Sequence, residues 1–536
     1  MDEINTDDLF NFNVGILGHV DSGKTCLARA VSTTASTASF DKNPQSQERG
    51  ITLDLGFSSA VLEVPRHLAD SGKKYVQYTF VDCPGHASLI RTIIGGSQII
   101  DLMLLVVDVL KGVQTQTAEC LVIGEVTCRK MIVVLNKIDL LSPEKREATI
   151  QKISKKMKLT LEGSVFRDAP VVSVAAKPGG TEALQSNAPI GLQGLMETLK
   201  GLTFLPQRDS SLPFLMAVDH CFPIRGKGSV LTGTVLQGAV RVGDVVEVAS
   251  LGLARKVRSL QMFRRPVEQA GQGDRLGMCL TQLDPGALER GMVCLPGSVP
   301  SVRLAVAAVS RIQYFKGAVR SKARLHVILG HDTVMARLTV FGEPGAGLEG
   351  FHPSREYRYQ EELSERPQLV LLEFQRPVLM PPRRSVVIGC RLDEDVHTNA
   401  CRLAFQGHVE AQLANAGTLQ IYKEKSRVGC VQRAASQDEV VVAGLFQNHT
   451  KSQQFLGLKV QLSTGEEGVL TSTFGQGGKV KVQVPGGLLQ STLDRLASKK
   501  GRRSAPEGTV AAEPVRATLH FRRYVYDPLK RIVQAS

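Results

Sequence analysis

Residues Gly18-His19-Val20-Asp21-Ser22-Gly23-Lys24-Thr25 set two glycines, a lysine and a hydroxyl at the spacing G-x-x-x-x-G-K-[ST]. Chemistry of that kind cradles nucleotide phosphates: consecutive backbone N–H groups and a helix N-terminus face the anion. Lys24 is placed to reach the β- and γ-phosphates, and the Thr25 hydroxyl to ligate Mg2+. The nucleotide-binding residues expected of this loop are Asp21, Ser22, Gly23, Lys24, Thr25 and Cys26. Cys26 and Cys83 border the nucleotide loops and also read as small packing residues. Three further elements follow in order. Thr52, in Arg49-Gly50-Ile51-Thr52, is placed to sense a γ-phosphate through the metal. Asp82-Cys83-Pro84-Gly85-His86 puts a carboxylate near the metal and the Gly85 N–H near the γ-phosphate. Asn136-Lys137-Ile138-Asp139 offers a carboxylate that accepts from both guanine N1–H and N2–H2, a donor pair adenine lacks, which selects GTP. Asn-Lys-x-Asp alone could be a surface turn, and Asp-x-x-Gly alone a helix cap. All of them in this order leave a GTPase. A fifth element, Ala175-Ala176-Lys177, stands where such proteins carry Ser-Ala-Lys; a serine contact is lost, while the Ala176 N–H could still meet guanine O6.

These residues need strand ends and helix starts to hold them. An apolar run (Val14, Ile16, Leu17) precedes the phosphate loop, and Leu27, Ala28 and Val31 after it carry a helical pattern. The runs Tyr78 to Val81, Met131 to Leu135 and Val171 to Val174 end at the next three elements, and Leu102 to Val107 reads as a buried parallel strand. The fold class expected is an α/β P-loop GTPase domain followed by three β-rich domains, antiparallel β-barrels. The domains are placed at 1–205 (GTP-binding), 212–298 (a barrel), 302–415 (a second barrel) and 418–536 (a basic β-rich domain). Leu205 to Asp209 reads as a linker, Gly179 to Gly194 as a loop before a helix at Leu195 to Leu199, and Gly342 to Pro367 as a long exposed loop.

At 536 residues and 43% hydrophobic content the chain can build several cores. No apolar run approaches bilayer length and the acidic N-terminus lacks a signal-peptide pattern, so a cytoplasmic protein without a membrane partner is expected. Ten scattered cysteines without paired spacing read as reduced thiols with no zinc site. The net charge of +14 is uneven: residues 421–536 carry 18 basic side chains against 9 acidic. Phe521-Arg522-Arg523-Tyr524 interleaves rings with cations, as phosphate contact with occasional base stacking would. The run Lys499-Lys500-Gly501-Arg502-Arg503 reads equally as a solvated tail or a nuclear-import signal, which would add the nucleus to the location.

Gly-His-Val-Asp-Ser-Gly-Lys-Thr, Arg-Gly-Ile-Thr and Asp-Cys-Pro-Gly-His together resemble the translation-factor GTPases. The resemblance implies that His86 turns toward the γ-phosphate on the ribosome and positions the attacking water. By the same resemblance Val20 and Ile51 form an apolar gate, and Asp21 helps hold a charge-compensating monovalent cation. Gly226 to Asp244 resembles the second domain of tRNA-carrying factors. Asp41-Lys42, Glu48 to Phe57, His86 to Gly96, Val218 to Phe222 and Gly273 to Gly277 are more specific: they resemble the selenocysteine-specific elongation factors of eukaryotic type, over essentially the whole chain. That resemblance implies GTP as substrate, Mg2+ held by Thr25, Thr52 and Asp82, and selenocysteinyl-tRNA delivered to a recoded UGA codon. It implies as partners the ribosome and a selenocysteine-insertion RNA element with its binding protein, met by a monomer.

The same resemblance gives Asp219, His220 and Arg275 the amino-acid specificity. A selenol is an anion at neutral pH and a serine hydroxyl is not, so Arg275 and His220 could meet the selenolate while Asp219 accepts from the α-ammonium. From residue types alone, Arg275 reads as a barrel-surface ion pair with Asp274 or Asp284. The alternative within the class is the initiation factor that carries initiator tRNA, which would lack the last β-domain. A non-catalytic scaffold is opposed by intact Lys24, Thr25, Asp82 and His86.

Overall fold

The structure is a computed structural model that describes residues 8–35, 55–84, 100–179, 188–224, 228–288, 290–330, 332–342, 350–381, 385–392, 401–447, 452–474, 478–498, 513–529 and 531–535. Thr52, Ile51, Gly85 and His86 lie outside these residues, so their expected roles stay with the sequence. The chain divides into two compact units, one of residues 1–338 with 362–413 and one of 339–361 with 414–536.

The first unit opens with a seven-stranded sheet. Its strands are β1 (Leu9–Gly18), β2 (Thr34–Ala35), β3 (Gly56–Glu63), β4 (Tyr75–Asp82), β5 (Leu102–Asp108), β6 (Met131–Asn136) and β7 (Val171–Ser173). The sheet order is β2-β3-β4-β1-β5-β6-β7. β1 runs parallel to both β4 and β5, and β3 turns antiparallel against β4. Helices α1 (Lys24–Val31), α2 (Thr115–Thr127), α3 (Pro143–Leu161) and α4 (Leu192–Leu202) complete this α/β domain. β5 is buried along its whole length, as a central parallel strand covered on both faces must be. Helix α1 buries Leu27, Ala28 and Val31 on the core, one stripe of a 3.6-residue period. Helix α4 begins at Leu192, so the loop expected up to Gly194 ends earlier; Gly191, with φ of 77°, starts the helix there.

Next comes an antiparallel barrel. Strands β8 (Leu215–Ile224) and β9 (Gly228–Gln237) are neighbours, and the strand Arg275–Leu280 pairs with β9. The strands Val245–Val248 and Leu253–Met262 pair to close the ring. Closure encloses Met216, Val218, Leu231, Val235, Leu276 and Met278. A second ring of antiparallel strands follows, from Ser301–Arg311 to Leu403–Leu413. In the other unit a third barrel joins Gln420–Ala434 to Arg516–Tyr524 and encloses Val440, Val460, Leu470, Leu519 and Phe521. The fold class is therefore a P-loop GTPase domain and three β-barrels.

Two expectations fail for reasons of packing. The stretch Gly342 to Pro367 is not all exposed loop: Glu356–Gln360 forms a strand, because Tyr357 is buried against Phe341 with ring centroids 5.2 Å apart. Phe521 and Tyr524 are also buried, so the rings interleaved with Arg522 and Arg523 belong to the core and are not free to stack on bases.

The linker between the nucleotide domain and the first barrel is held firmly. Arg208 Nη2 donates to Asp101 Oδ2 at 2.6 Å, and its guanidinium lies where a Cβ on Gly273 would be, 2.6 Å from Cζ. Asn11 and Asn13 of β1 both donate their side-chain amides to the Gly273 carbonyl, at 2.5 and 2.9 Å. Thr79 donates to Asn11 Oδ1 at 2.6 Å, which fixes the amide orientation. Beside this clamp, burial pushes the Asp274 carboxyl up to about 6, against the opposing pull of the Gly271 N–H and Arg208. An acid raised in the fold stays protonated there while the unfolded chain ionises, so the folded state loses ground as pH rises from about 3.8 to about 6. Asp274→Asn is therefore expected to raise the urea midpoint above that of the parent at pH 7, with the two converging at pH 4; a difference that persists at pH 4 would refute the assignment.

Candidate functional site

The phosphate loop leaves the C-terminal end of β1, beside the ends of β4, β5 and β6, the edge of an open α/β sheet where ligands bind. Two glycines are required by close approach. A Cβ on Gly18 would lie 2.2 Å from the Val106 carbonyl oxygen, and one on Gly23, at φ of 88°, would lie 2.3 Å from Asn136 Nδ2. Asp21 also takes a positive φ, 60°, which turns its exposed side chain toward Lys111 at 3.8 Å. The Val20 N–H donates to Gln116 Oε1 of α2 at 3.2 Å. Ser22 is fully buried and Cys26 half-buried on α1.

Lys24 stands at the start of α1, buried, its Nζ donating to the His19 carbonyl at 2.7 Å. Burial lowers its pKa, opposed by the nearby Asp82 carboxylate. His19 is pushed down to about 4 by burial and then by Lys24, so its imidazole is neutral at pH 7. Asp82 ends β4 opposite Ile16 of β1 and is buried. The Thr25 hydroxyl and the Asp82 carboxylate are hard oxygen donors that suit Mg2+, an ion that keeps several waters and takes only one or two protein ligands.

The base-recognition elements converge from three strand ends. Asn136 donates through Nδ2 to the Ser22 carbonyl at 2.9 Å and accepts at Oδ1 from the Ala176 N–H at 3.1 Å. It thus ties the phosphate loop to the loop after β7, and the Ala176 N–H expected at guanine O6 is engaged by Asn136. Lys137, at φ of 68°, pairs with Asp108 at 2.9 Å. Burial pushes the Asp108 carboxyl up, but hydrogen bonds from Lys137 and the Leu110 N–H outweigh it and hold the carboxyl below its ordinary range. Asp139 accepts at Oδ2 from the Gly179 N–H at 3.0 Å, while Ala175 pairs with Ile190 through two 3.0 Å backbone bonds and Lys177 is exposed.

A second constellation lies in the first barrel. Asp219 sits at a bulge in β8, where the register against β9 skips from Val218 to His220. A bulge breaks the two-residue alternation and re-aims a side chain. Here it brings the Asp219 carboxylate, over the intervening β9, to Arg275 Nη1 at the start of the strand Arg275–Leu280. Arg275 is therefore paired with neither Asp274 nor Asp284: it is buried, bonded to Asp219 and 3.4 Å from Thr234 Oγ1. Burial lowers its pKa, and Asp219 offsets part of that. His220 follows, half-buried. Phe57 of β3 lies over the guanidinium at 3.3 Å from ring centroid to Cζ. Residue types gave no signal for that contact.

Four family models match the chain. They are the elongation factor Tu GTP binding domain over 11–223, elongation factor Tu domain 2 over 228–295, the third domain of eukaryotic selenocysteine-specific elongation factor over 306–407, and the eEFSec C-terminal RIFT domain over 417–530. A selenocysteine-specific elongation factor of Mus musculus is 50% identical, over 98% of this chain and 99% of its own. One from Methanocaldococcus jannaschii is 32% identical over 88% of this chain and 94% of its own. Among solved structures, translation elongation factor SelB from Methanococcus maripaludis, in complex with the GTP analogue GppNHp, superposes with a TM-score of 0.70 at 27% identity, covering 97% of this chain and 99% of its own.

Gly23→Ala tests the nucleotide cradle. Strain at a left-handed residue costs about 1–3 kcal/mol; the nucleotide-free loop can shift to relieve it and a loop wrapped on phosphates cannot, so GTP affinity should fall about tenfold or more; unchanged nucleotide binding by titration calorimetry would show that the Asn136 contact is not required.

Proposed function

The chain belongs to the selenocysteine-specific elongation factors, GTP-hydrolysing translation factors that deliver selenocysteinyl-tRNA, and on that premise we propose which residues do this work. Lys24 and the backbone of residues 18–25 bind the GTP phosphates, and Asn136, Lys137 and Asp139 select guanine. Thr25 and Asp82, joined by Thr52, would hold Mg2+, which offsets charge on the phosphate oxygens. Phosphoryl transfer asks the protein for little beyond an in-line water and stabilised oxygens. His86 positions that water, Val20 and Ile51 gate it, and Asp21 supports a monovalent cation beside the phosphates.

Amino-acid choice rests on Arg275, His220 and Asp219. The observation that carries this reading is the buried Arg275–Asp219 pair: a guanidinium and a carboxylate held side by side out of water match the selenolate and the α-ammonium of one residue. A neutral hydroxyl gives the guanidinium far less. The initiator-tRNA carrier is not favoured, since residues 417–530 match the C-terminal domain of this family. We assign the basic surface of that domain to a selenocysteine-insertion RNA element and its binding protein, which would recruit a monomeric factor to recoded UGA codons. The working compartment is the cytosol, with a nuclear pool if residues 499–503 act as an import signal.

Two substitutions test the assignment. His86→Ala should bind GTP normally and lose ribosome-stimulated hydrolysis; unchanged stimulated turnover would refute the role. Arg275→Ala should weaken selenocysteinyl-tRNA binding about tenfold to a thousandfold, the worth of one or two charged hydrogen bonds, and barely change seryl-tRNA binding. Equal losses for both tRNAs in filter binding would discredit the pocket.

A further inference from the structure

The Arg275 guanidinium meets its surroundings in three ways. Nη1 donates to Asp219 and lies near Thr234 Oγ1. One face rests on the Phe57 ring, 3.3 Å from its centroid. Nη2 is buried and has no hydrogen-bond partner among the described residues. Guanidinium N–H bonds lie in the plane of the group, so a ring on its face stabilises the charge through its quadrupole and uses up no donor. Phe57 is itself 1% exposed and paired with Val81 in the nucleotide-binding sheet, while Gly56 before it pairs with Asp82. The ring is thus anchored in the sheet that carries the proposed metal carboxylate, although the charge it covers belongs to the barrel. A buried donor without a partner calls for an explanation, and a ligand acceptor is one.

We infer that Phe57 is a positioning residue for amino-acid selection: its ring fixes the plane of the Arg275 guanidinium, Asp219 holds one edge, and Nη2 is left to meet a single anionic atom of the aminoacyl group. The inference rests on the pocket reading above and adds a residue from outside the barrel. It also gives the nucleotide sheet a direct contact with the group that reads the amino acid.

The test measures dissociation constants of selenocysteinyl- and seryl-tRNA for the full chain loaded with a GTP analogue. Four proteins are compared: the parent, Phe57→Leu, Arg275→Ala and the double variant. Binding of the GTP analogue to each one checks that the nucleotide domain is folded. Loss of a desolvated cation–π contact predicts that Phe57→Leu lowers the preference for the selenocysteinyl form about tenfold. In the Arg275→Ala background the same change should do nothing further, because the two act through one guanidinium. An unchanged preference in Phe57→Leu overturns the inference, as does an equal loss in both backgrounds, and either result leaves the pocket reading standing. If Arg275→Ala keeps the preference, the pocket reading fails and the inference fails with it. Phe57→Met, closer in volume, replaces Phe57→Leu if the latter loses nucleotide binding. Loss in both would make the ring a packing residue only and overturn the inference.

Discussion

Arg275 is a buried charge that the described residues do not fully answer. Removing a guanidinium from water is costly unless something repays it, and truncating one partner of a buried pair is more costly still. Around Arg275 the repayment is divided between one carboxylate at a strand bulge and one ring from another domain. Neither satisfies every donor. A site in that state would favour a compact anion over a neutral group of the same shape, the distinction that the proposed amino-acid selection asks of it.

Such a site works only if its parts keep their places. Asp219 and Arg275 belong to the barrel, and Phe57 belongs to the nucleotide sheet. The contacts that register one on the other lie two residues before Arg275, where the Gly273 carbonyl takes hydrogen bonds from Asn11 and Asn13. Both asparagines stand on β1, whose far end opens the phosphate loop. Arg208 closes the other side with Asp101, which in turn accepts from the Asn13 backbone N–H at 2.8 Å. A chain segment that composition marks as a plain linker is therefore an anchored part of the frame. Glu119 of α2 and Arg402, both buried and ion-paired, tie the nucleotide domain to the second barrel in the same way.

The nucleotide site has a different economy. Several of its polar groups already bond one another: Asn136 bridges two loops, Lys137 holds Asp108, and Lys24 caps the His19 carbonyl. These bonds hold the phosphate loop in place without a ligand. His19, buried and neutral, adds no charge to a region already crowded by Lys24 and Lys111.

Much of this was legible in the chain. The phosphate loop, the Asp-x-x-Gly and the Asn-Lys-x-Asp each gather their chemistry within a few consecutive residues, and the apolar runs before them could only be strand interiors. Local hydrogen bonding and side-chain period decide such features, and both are written along the sequence. The polar stretch 342–367 hid a strand because two buried tyrosines, Tyr357 and Tyr359, outweighed their charged neighbours. Residue types favoured Asp274 or Asp284 as the partner of Arg275, being nearest in sequence. The bulge at Asp219 and the closure of the barrel chose a carboxylate 56 positions away, and the packing of the barrel on the sheet chose Phe57. The sequence by itself determined a GTPase followed by β-barrels, because those signals are local. Only the tertiary structure decided what surrounds Arg275, because a buried charge takes its partners from whatever the fold brings within a few ångströms.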